Sequence, residues 1–111
     1  MQDHDYLPLT ETTFFILLSI AVTPRHGYAI IKEIETMSAS RVVLATGTLY
    51  SALRRLLEDG WIERVEDDTP ENDNRERKLY RLTDLGRRIL QLEAERLKSL
   101  VRLTRLQDSM D

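Results

Sequence analysis

Thr46-Gly47-Thr48-Leu49-Tyr50-Ser51-Ala52-Leu53-Arg54-Arg55-Leu56-Leu57-Glu58-Asp59-Gly60-Trp61-Ile62 is the stretch that decides how this chain is read. At a helical spacing of about 100° per residue, Leu49, Ala52, Leu53, Leu56 and Leu57 share one sector. Ser51, Arg54, Arg55 and Glu58 lie opposite, flanked by Thr48 and Tyr50. Thr46 or Thr48 is the candidate N-cap and Gly60 the C-terminal stop, so a one-sided helix ends on glycine and runs into a strand. A helix that buries one face and offers hydroxyls, a phenol and two guanidiniums on the other suits a DNA groove. The same pattern describes a helix that merely turns charge to water, so its neighbours decide between the two.

Beyond Gly60 the helical period gives way to imperfect alternation. Trp61 to Glu66 and Arg75 to Leu82 are rich in Arg, Val, Leu and Tyr, which predicts two strands. Asp67-Asp68-Thr69-Pro70-Glu71-Asn72-Asp73-Asn74 is a solvated loop between them, so the pair is a hairpin. Thr83 is the expected N-cap of a last helix that reaches at least Leu106, about 35 Å in length. Along it Leu90, Ala94, Leu97, Val101 and Thr104 recur at alternating spacings of four and three, and Leu92, Leu100, Leu103 and Leu106 widen the stripe. So small a domain cannot cover that helix, which points to packing against a second copy.

Upstream, a polar lead ends at Pro8, and Thr10 or Thr12 can cap a helix from about Glu11 to Val22. This helix is apolar nearly all round, as expected for burial or for sharing between subunits. Phe14, Leu17 and Leu18, with Leu90, Leu97 and Val101 of the last helix, form the expected homodimer interface. Thr23 to Gly27 is a turn by composition. The second helix, from about Tyr28 to Thr36, places Tyr28, Ile31, Ile34 and Met37 on one face; Ser38 to Ser40 loosen the chain and Arg41 to Ala45 connect onward. Three helices, a hairpin and a long helix give a mainly α fold with a small β-hairpin. It reads as a winged helix-turn-helix over residues 1–82 and a C-terminal dimerisation helix over residues 83–111.

Composition narrows the function. A hydrophobic share of 41% and a charged share of 32% describe a globular chain of one domain. The absence of cysteine excludes disulfides and thiolate metal sites and agrees with a cytoplasmic location. With His4 and His26 as the only histidines, no transition-metal site is expected. No run approaches a membrane span of roughly 18 apolar residues. Nothing resembles a nucleophile–base pair or a phosphate-cradling glycine loop, so no enzyme and no cofactor is expected. The net charge of −3 opposes a nucleic-acid partner only in sum. Seven of the acids fall in residues 61–80, which leaves room for a locally basic surface elsewhere. Binding there is expected to be modest and steeply salt-dependent.

Three segments together resemble one family. His26-Gly27-Tyr28-Ala29-Ile30-Ile31-Lys32-Glu33-Ile34 is similar to the second-helix signature of PadR-like transcriptional regulators. Gly47 to Leu56, with Asp59-Gly60-Trp61-Ile62, looks like their recognition helix and strand entry. Arg77-Lys78-Leu79-Tyr80-Arg81-Leu82-Thr83-Asp84-Leu85-Gly86 resembles their second wing strand and last-helix start. The short C-terminal region matches the smaller subfamily. The resemblance implies a homodimeric repressor on a pseudo-palindromic stretch of double-stranded DNA, with recognition helices in successive major grooves and wings on flanking phosphates. Some members bind small aromatic molecules at the dimer interface. This chain departs from the family twice. Its wing tip is acidic from Asp67 to Asp73, and no Phe, Tyr or Trp follows Leu82 to line an effector cavity, so a small-molecule effector is unsupported.

The candidate DNA contacts follow. Thr48 and Ser51 sit where hydroxyls and free backbone N–H groups meet phosphate; Tyr50 offers its hydroxyl to the backbone. Arg54 and Arg55 suit base edges or phosphates. Lys32 is placed to touch the backbone, with Tyr28 read as core. Phosphate contact in the wing falls to Arg75, Arg77 and Lys78. Trp61 is read as the anchor of the wing, and His26 as structural or solvent-exposed. The alternative function is a winged-helix module that recognises protein through its acidic wing and does not bind DNA.

Overall fold

The computed structural model describes residues 3–67 and 78–110, with side chains from residue 5 to residue 106. A short 3-10 turn at Asp3–Tyr6 precedes α1 (Glu11–Ser19), α2 (Gly27–Met37) and α3 (Thr46–Glu58); β1 (Ile62–Glu66), β2 (Lys78–Leu82) and α4 (Asp84–Met110) follow. The expected mainly helical winged architecture is the one observed. The loop that the sequence places between the strands lies, beyond Asp67, outside the described residues.

Helix limits follow from local hydrogen bonding. Thr10 caps α1, its side chain accepting from the Thr13 N–H at 3.1 Å. The helix stops at Ser19 rather than Val22. Ile20 and Ala21 N–H groups bond three residues back, to Leu17 and Leu18, and Arg25 Nε donates to the Ser19 carbonyl at 2.7 Å. A tightened last turn whose carbonyl is already taken cannot propagate. Neither Thr46 nor Thr48 caps α3: the N-cap is Ala45, without a side-chain bond. Gly60 does close it, with a φ of 77° that glycine adopts without penalty.

The α2–α3 connection is tighter than the sequence suggests. Ala39 and Ser40 both have left-handed φ, 52° and 65°. The Ser40 N–H donates to the Glu35 carbonyl at 2.8 Å, and Ser38 Oγ accepts from Val42 N–H at 3.0 Å. Arg41 then reaches Glu11 with two bonds of 2.9 and 3.1 Å, tying the turn to the start of α1. The angle between α2 and α3 is therefore fixed by bonds at a costly backbone conformation.

The core joins all elements. Leu49, Leu53 and Leu56 of α3 are buried, as the helical sector requires, against Ile16 and Leu17 of α1 and Ile30 and Ile34 of α2. Trp61, Ile62, Tyr80 and Leu82 extend it under the hairpin, and Ile89 and Leu90 close it from α4. The start of α4 is welded to the strand entry. Thr83 Oγ1 donates to the Gly60 carbonyl at 2.6 Å and accepts from Gly86 N–H at 3.0 Å, while Thr83 N–H donates to the Trp61 carbonyl at 3.0 Å. Gly86 sits so close that a Cβ would lie 1.9 Å from that carbonyl oxygen.

One buried acid went unread in the sequence. Glu93 is 2% exposed and receives the Leu9 N–H at 2.9 Å together with Arg96 through two nitrogens. The Arg96 guanidinium, aided by the Leu9 N–H and opposed by burial, holds its carboxyl below the usual carboxylate range. Glu93 thereby pins the N-terminal lead to α4.

Candidate nucleic-acid interface

The surface of α3 left bare by the core carries Thr48, Tyr50, Ser51, Arg54, Arg55 and Glu58, all exposed. Because Ala45 offers no side-chain cap, the first-turn amides of α3 are left for an outside acceptor. Thr48, not serving as the cap, keeps its hydroxyl there as well. Gly47 has nothing within 4 Å of where a Cβ would stand, so no neighbour within the protomer requires glycine at that point.

Two grooves flank the helix, and the adjacent arginines enter different ones. Arg54 lines a groove of about 400 Å³ against the hairpin, with Tyr50, Glu58, Arg64 and Tyr80. Arg55 lines a hydroxyl-rich trough against α1, with Thr10, Thr12, Thr48 and Ser51. Arg64 is a residue the sequence reading missed. The signal was present: alternation along β1 puts Arg64 on the face of Ile62, and its register partner is the buried Tyr80. It therefore overhangs α3, while Glu63 and Arg81 pair on the other face at 2.7 Å.

The arginines around α3 are bare, and among the described residues Arg102 of α4 is bare as well. Arg25, Arg41, Arg81 and Arg96, away from the α3 surface, each hold a carboxylate. Arg54, Arg55 and Arg64 hold none among the described residues, and a bare guanidinium is one that an incoming phosphate or base edge need not strip of a partner.

Other expected contacts are placed less simply. Lys32 is exposed, its ammonium 5.4 Å from the ring centre of Tyr28. Tyr28 is 62% exposed, not core as expected: one helical step moves the buried face to Gly27, Ile30 and Ile34. Lys78 opens β2 with an exposed side chain, whereas Arg75 and Arg77 lie outside the described residues. Trp61 is buried, with the Tyr6 ring edge-on at 5.2 Å.

The interface expected between subunits needs correction at two positions. Leu17 is fully buried and Leu90 is 8% exposed within a single protomer, because α1, α2 and the base of α4 already cover them. Leu18, Leu97 and Val101 are exposed, and Phe14 is half-buried. Phe14 and Phe15 with Leu9 and Leu97 line a cleft of about 270 Å³ between α1 and α4, together with Glu11, Glu93 and Arg96.

A three-helix body with a hairpin packed beside a bare-faced third helix is a winged helix-turn-helix. This chain belongs to the PadR-like family of transcriptional regulators, whose family model matches residues 16–92; it is a family of regulators and not of enzymes. No curated protein matches it. Among solved structures, a PadR family transcription regulator from hypervirulent Clostridium difficile R20291 is 22% identical, with a TM-score of 0.71 over 87% of this chain and 97% of the other. A PadR-like regulator from Bacillus cereus is 20% identical, with a TM-score of 0.72 over 86% and 89%. Bacillus subtilis PadR in complex with operator DNA is 24% identical, with a TM-score of 0.63 over 76% of this chain and 46% of the other. Among the described residues, no helix is long and apolar enough to cross a membrane.

Proposed function

We propose that this protein is a sequence-specific, DNA-binding transcriptional repressor that acts as a homodimer on a pseudo-palindromic operator. The observation that carries the reading is the set of bare guanidiniums around α3. Arg54, Arg55 and Arg64 lack carboxylate partners among the described residues, beside exposed Thr48, Tyr50 and Ser51. In this reading α3 lies in the major groove, Arg54 reads a base edge, and Arg64 with Lys78 meets the phosphates flanking it. Bacillus subtilis PadR, which shares the fold, is in complex with operator DNA, and this supports a DNA-binding role.

The dimer is built from the bare end of α4. The stripe that is buried at Gly86, Ile89, Leu90 and Glu93 continues as Leu97, Leu100, Val101 and Thr104, all exposed. Packed against a partner, with Phe14 and Leu18 alongside, these residues set the distance between two recognition helices. Half-sites then fall about one DNA turn, roughly 34–36 Å, apart or a multiple of it. Repression follows from occupancy of a promoter.

The test is fluorescence anisotropy of the purified protein on duplexes of its own upstream DNA, with salt varied from about 50 to 200 mM beside a scrambled control. Saturable, salt-steep binding at two protomers per site supports the repressor. Arg64→Ala then lowers affinity for all sequences alike and reduces the salt slope by about one. Arg54→Ala relaxes preference at one base pair, worth on the order of 1–3 kcal/mol. Absence of DNA binding even at low salt overturns this reading in favour of the protein-interaction module.

A further inference from the structure

The two grooves beside α3 differ in chemistry. Arg54 shares the one against the hairpin with the carboxylate of Glu58, one helical turn further on. The trough between α3 and the start of α1, about 710 Å³, has no acid in its walls, and Arg55 is the one charged residue that lines it. Glu11, next to Thr12 in the chain, is held by Arg41 through bonds of 2.9 and 3.1 Å.

The hydroxyls of the trough are spare as well. Ser19, Ser99 and Thr104 fold theirs back onto carbonyls three residues earlier, at 2.7 Å. Thr10 is committed, accepting from Thr13 N–H and donating to the Thr13 hydroxyl. Thr12, Thr48 and Ser51 make no side-chain bond among the described residues, and all three line the trough. One bare guanidinium and three spare hydroxyls, with no acid beside them, suit an anion rich in acceptors. Gly47, in the same wall, adds an observation of another kind. Glycine in a helix is less stable than alanine. Yet Gly47 has no left-handed φ, and nothing stands within 4 Å of an added Cβ. Neither backbone conformation nor packing within the protomer calls for glycine, whose missing methyl group leaves the wall open to close approach from outside.

We propose that the trough between α1 and α3 seats the sugar–phosphate backbone of DNA. A phosphate lies on Arg55 and the hydroxyls of Thr12, Thr48 and Ser51, and Gly47 clears its path. The proposal rests on the DNA-binding reading above and deepens it. Thr48, Ser51 and Arg55 belong both to the bare face of α3 and to the trough, so DNA held by that face brings its own backbone there. The adjacent arginines then part in role, Arg54 toward a base edge and Arg55 toward phosphate. Through Thr12, α1 joins the DNA surface although it precedes the helix-turn-helix pair.

Two measurements on the full chain test this: thermal unfolding, and anisotropy on upstream and scrambled duplexes from about 50 to 200 mM salt. Gly47→Ala is expected to act in opposite directions. It should raise Tm by about 2–5 °C, as alanine does in an unobstructed helix, and weaken DNA binding about tenfold by crowding the backbone. Arg55→Ala should lose about tenfold on both duplexes alike and reduce the salt slope by about one. Thr12→Val should lose about fivefold on both with the slope unchanged, since a hydroxyl displaces no counterion. Thr12→Ser, which keeps the hydroxyl, should bind as the wild type does. A stabilised Gly47→Ala that keeps full DNA affinity overturns the backbone seat. So does an Arg55→Ala that loses preference at one base pair and binds scrambled DNA undiminished. If the wild type binds and every variant matches it, the seat alone fails. If the wild type binds neither duplex at any salt, the DNA reading itself fails and the seat falls with it.

Discussion

From Asp84 to Glu93, the inward stripe of α4 is covered: Gly86, Ile89, Leu90 and Glu93 all lie in the core. From Leu97 onward the same stripe continues as Leu97, Leu100, Val101 and Thr104, and every one is exposed. The helix does not change between its halves; its surroundings do. The base lies beside Trp61, Leu9 and α1; Leu97 still borders a cleft with Phe14 and Phe15, and beyond it Leu100, Val101 and Thr104 are exposed. Periodicity reports that a face is built to be covered, while the neighbours decide whether its own chain or a second one covers it.

The largest expected effect lies at the base. Gly86→Ala puts a methyl group into the Trp61 carbonyl, which cannot withdraw without moving the strand entry. A loss of about 3 kcal/mol or more in urea unfolding is expected, as for severe overpacking. A near-neutral result would mean that the base of α4 is no tighter than its tip, and the contrast would collapse.

Glu93→Ala comes next. It strands the Leu9 N–H and frees Arg96, for a loss of about 2–3 kcal/mol. Because folding lowers the Glu93 pKa, its contribution is complete above the ordinary carboxylate range and disappears as pH falls through the lowered value. Unfolding measured against pH should show this acid loss in the wild type and not in Glu93→Gln.

At the tip the expectation reverses. Leu97→Asp is expected to change protomer stability by less than about 1 kcal/mol, since the side chain is already 37% exposed. It should weaken self-association on the order of a hundredfold by placing unpaired charge in the seam. Sedimentation velocity reads the second effect and thermal unfolding of the dilute protein the first. A variant still fully dimeric would remove Leu97 from the interface. The smallest effect is expected at Arg102, which is exposed at the margin of the groove that Leu97 and Val101 line and is without a partner among the described residues. Arg102→Ser should shift stability by under about 0.5 kcal/mol and leave association unchanged; a clear loss of dimer would show that the seam wraps further round the helix.

The same split between local pattern and surroundings explains what could be read beforehand. The α3 sector, the Gly60 stop, the Thr83 cap and the order of elements are local regularities, and each stands in the sequence. Tyr28 was misplaced because one helical step of rotation, fixed by packing against α3, separates the two faces of α2. Leu17 and Leu90 looked like interface because apolar character does not say which chain supplies the cover. Arg64 is legible from alternation, on the face of Ile62, but stands apart from the more conspicuous cluster of arginines late in the wing. Glu93 and Gly86 could not have been understood from spacing: each acts on a group more than twenty residues away.

By itself, then, the sequence determined the elements, their order, the family and the polar face of α3, because helical and strand periodicities and turn residues act over a few positions. Only the tertiary structure decided which guanidiniums stay bare, which half of α4 is covered and what Glu93 holds. Those depend on distances between segments remote in the chain, and such distances are set by packing the whole core at once.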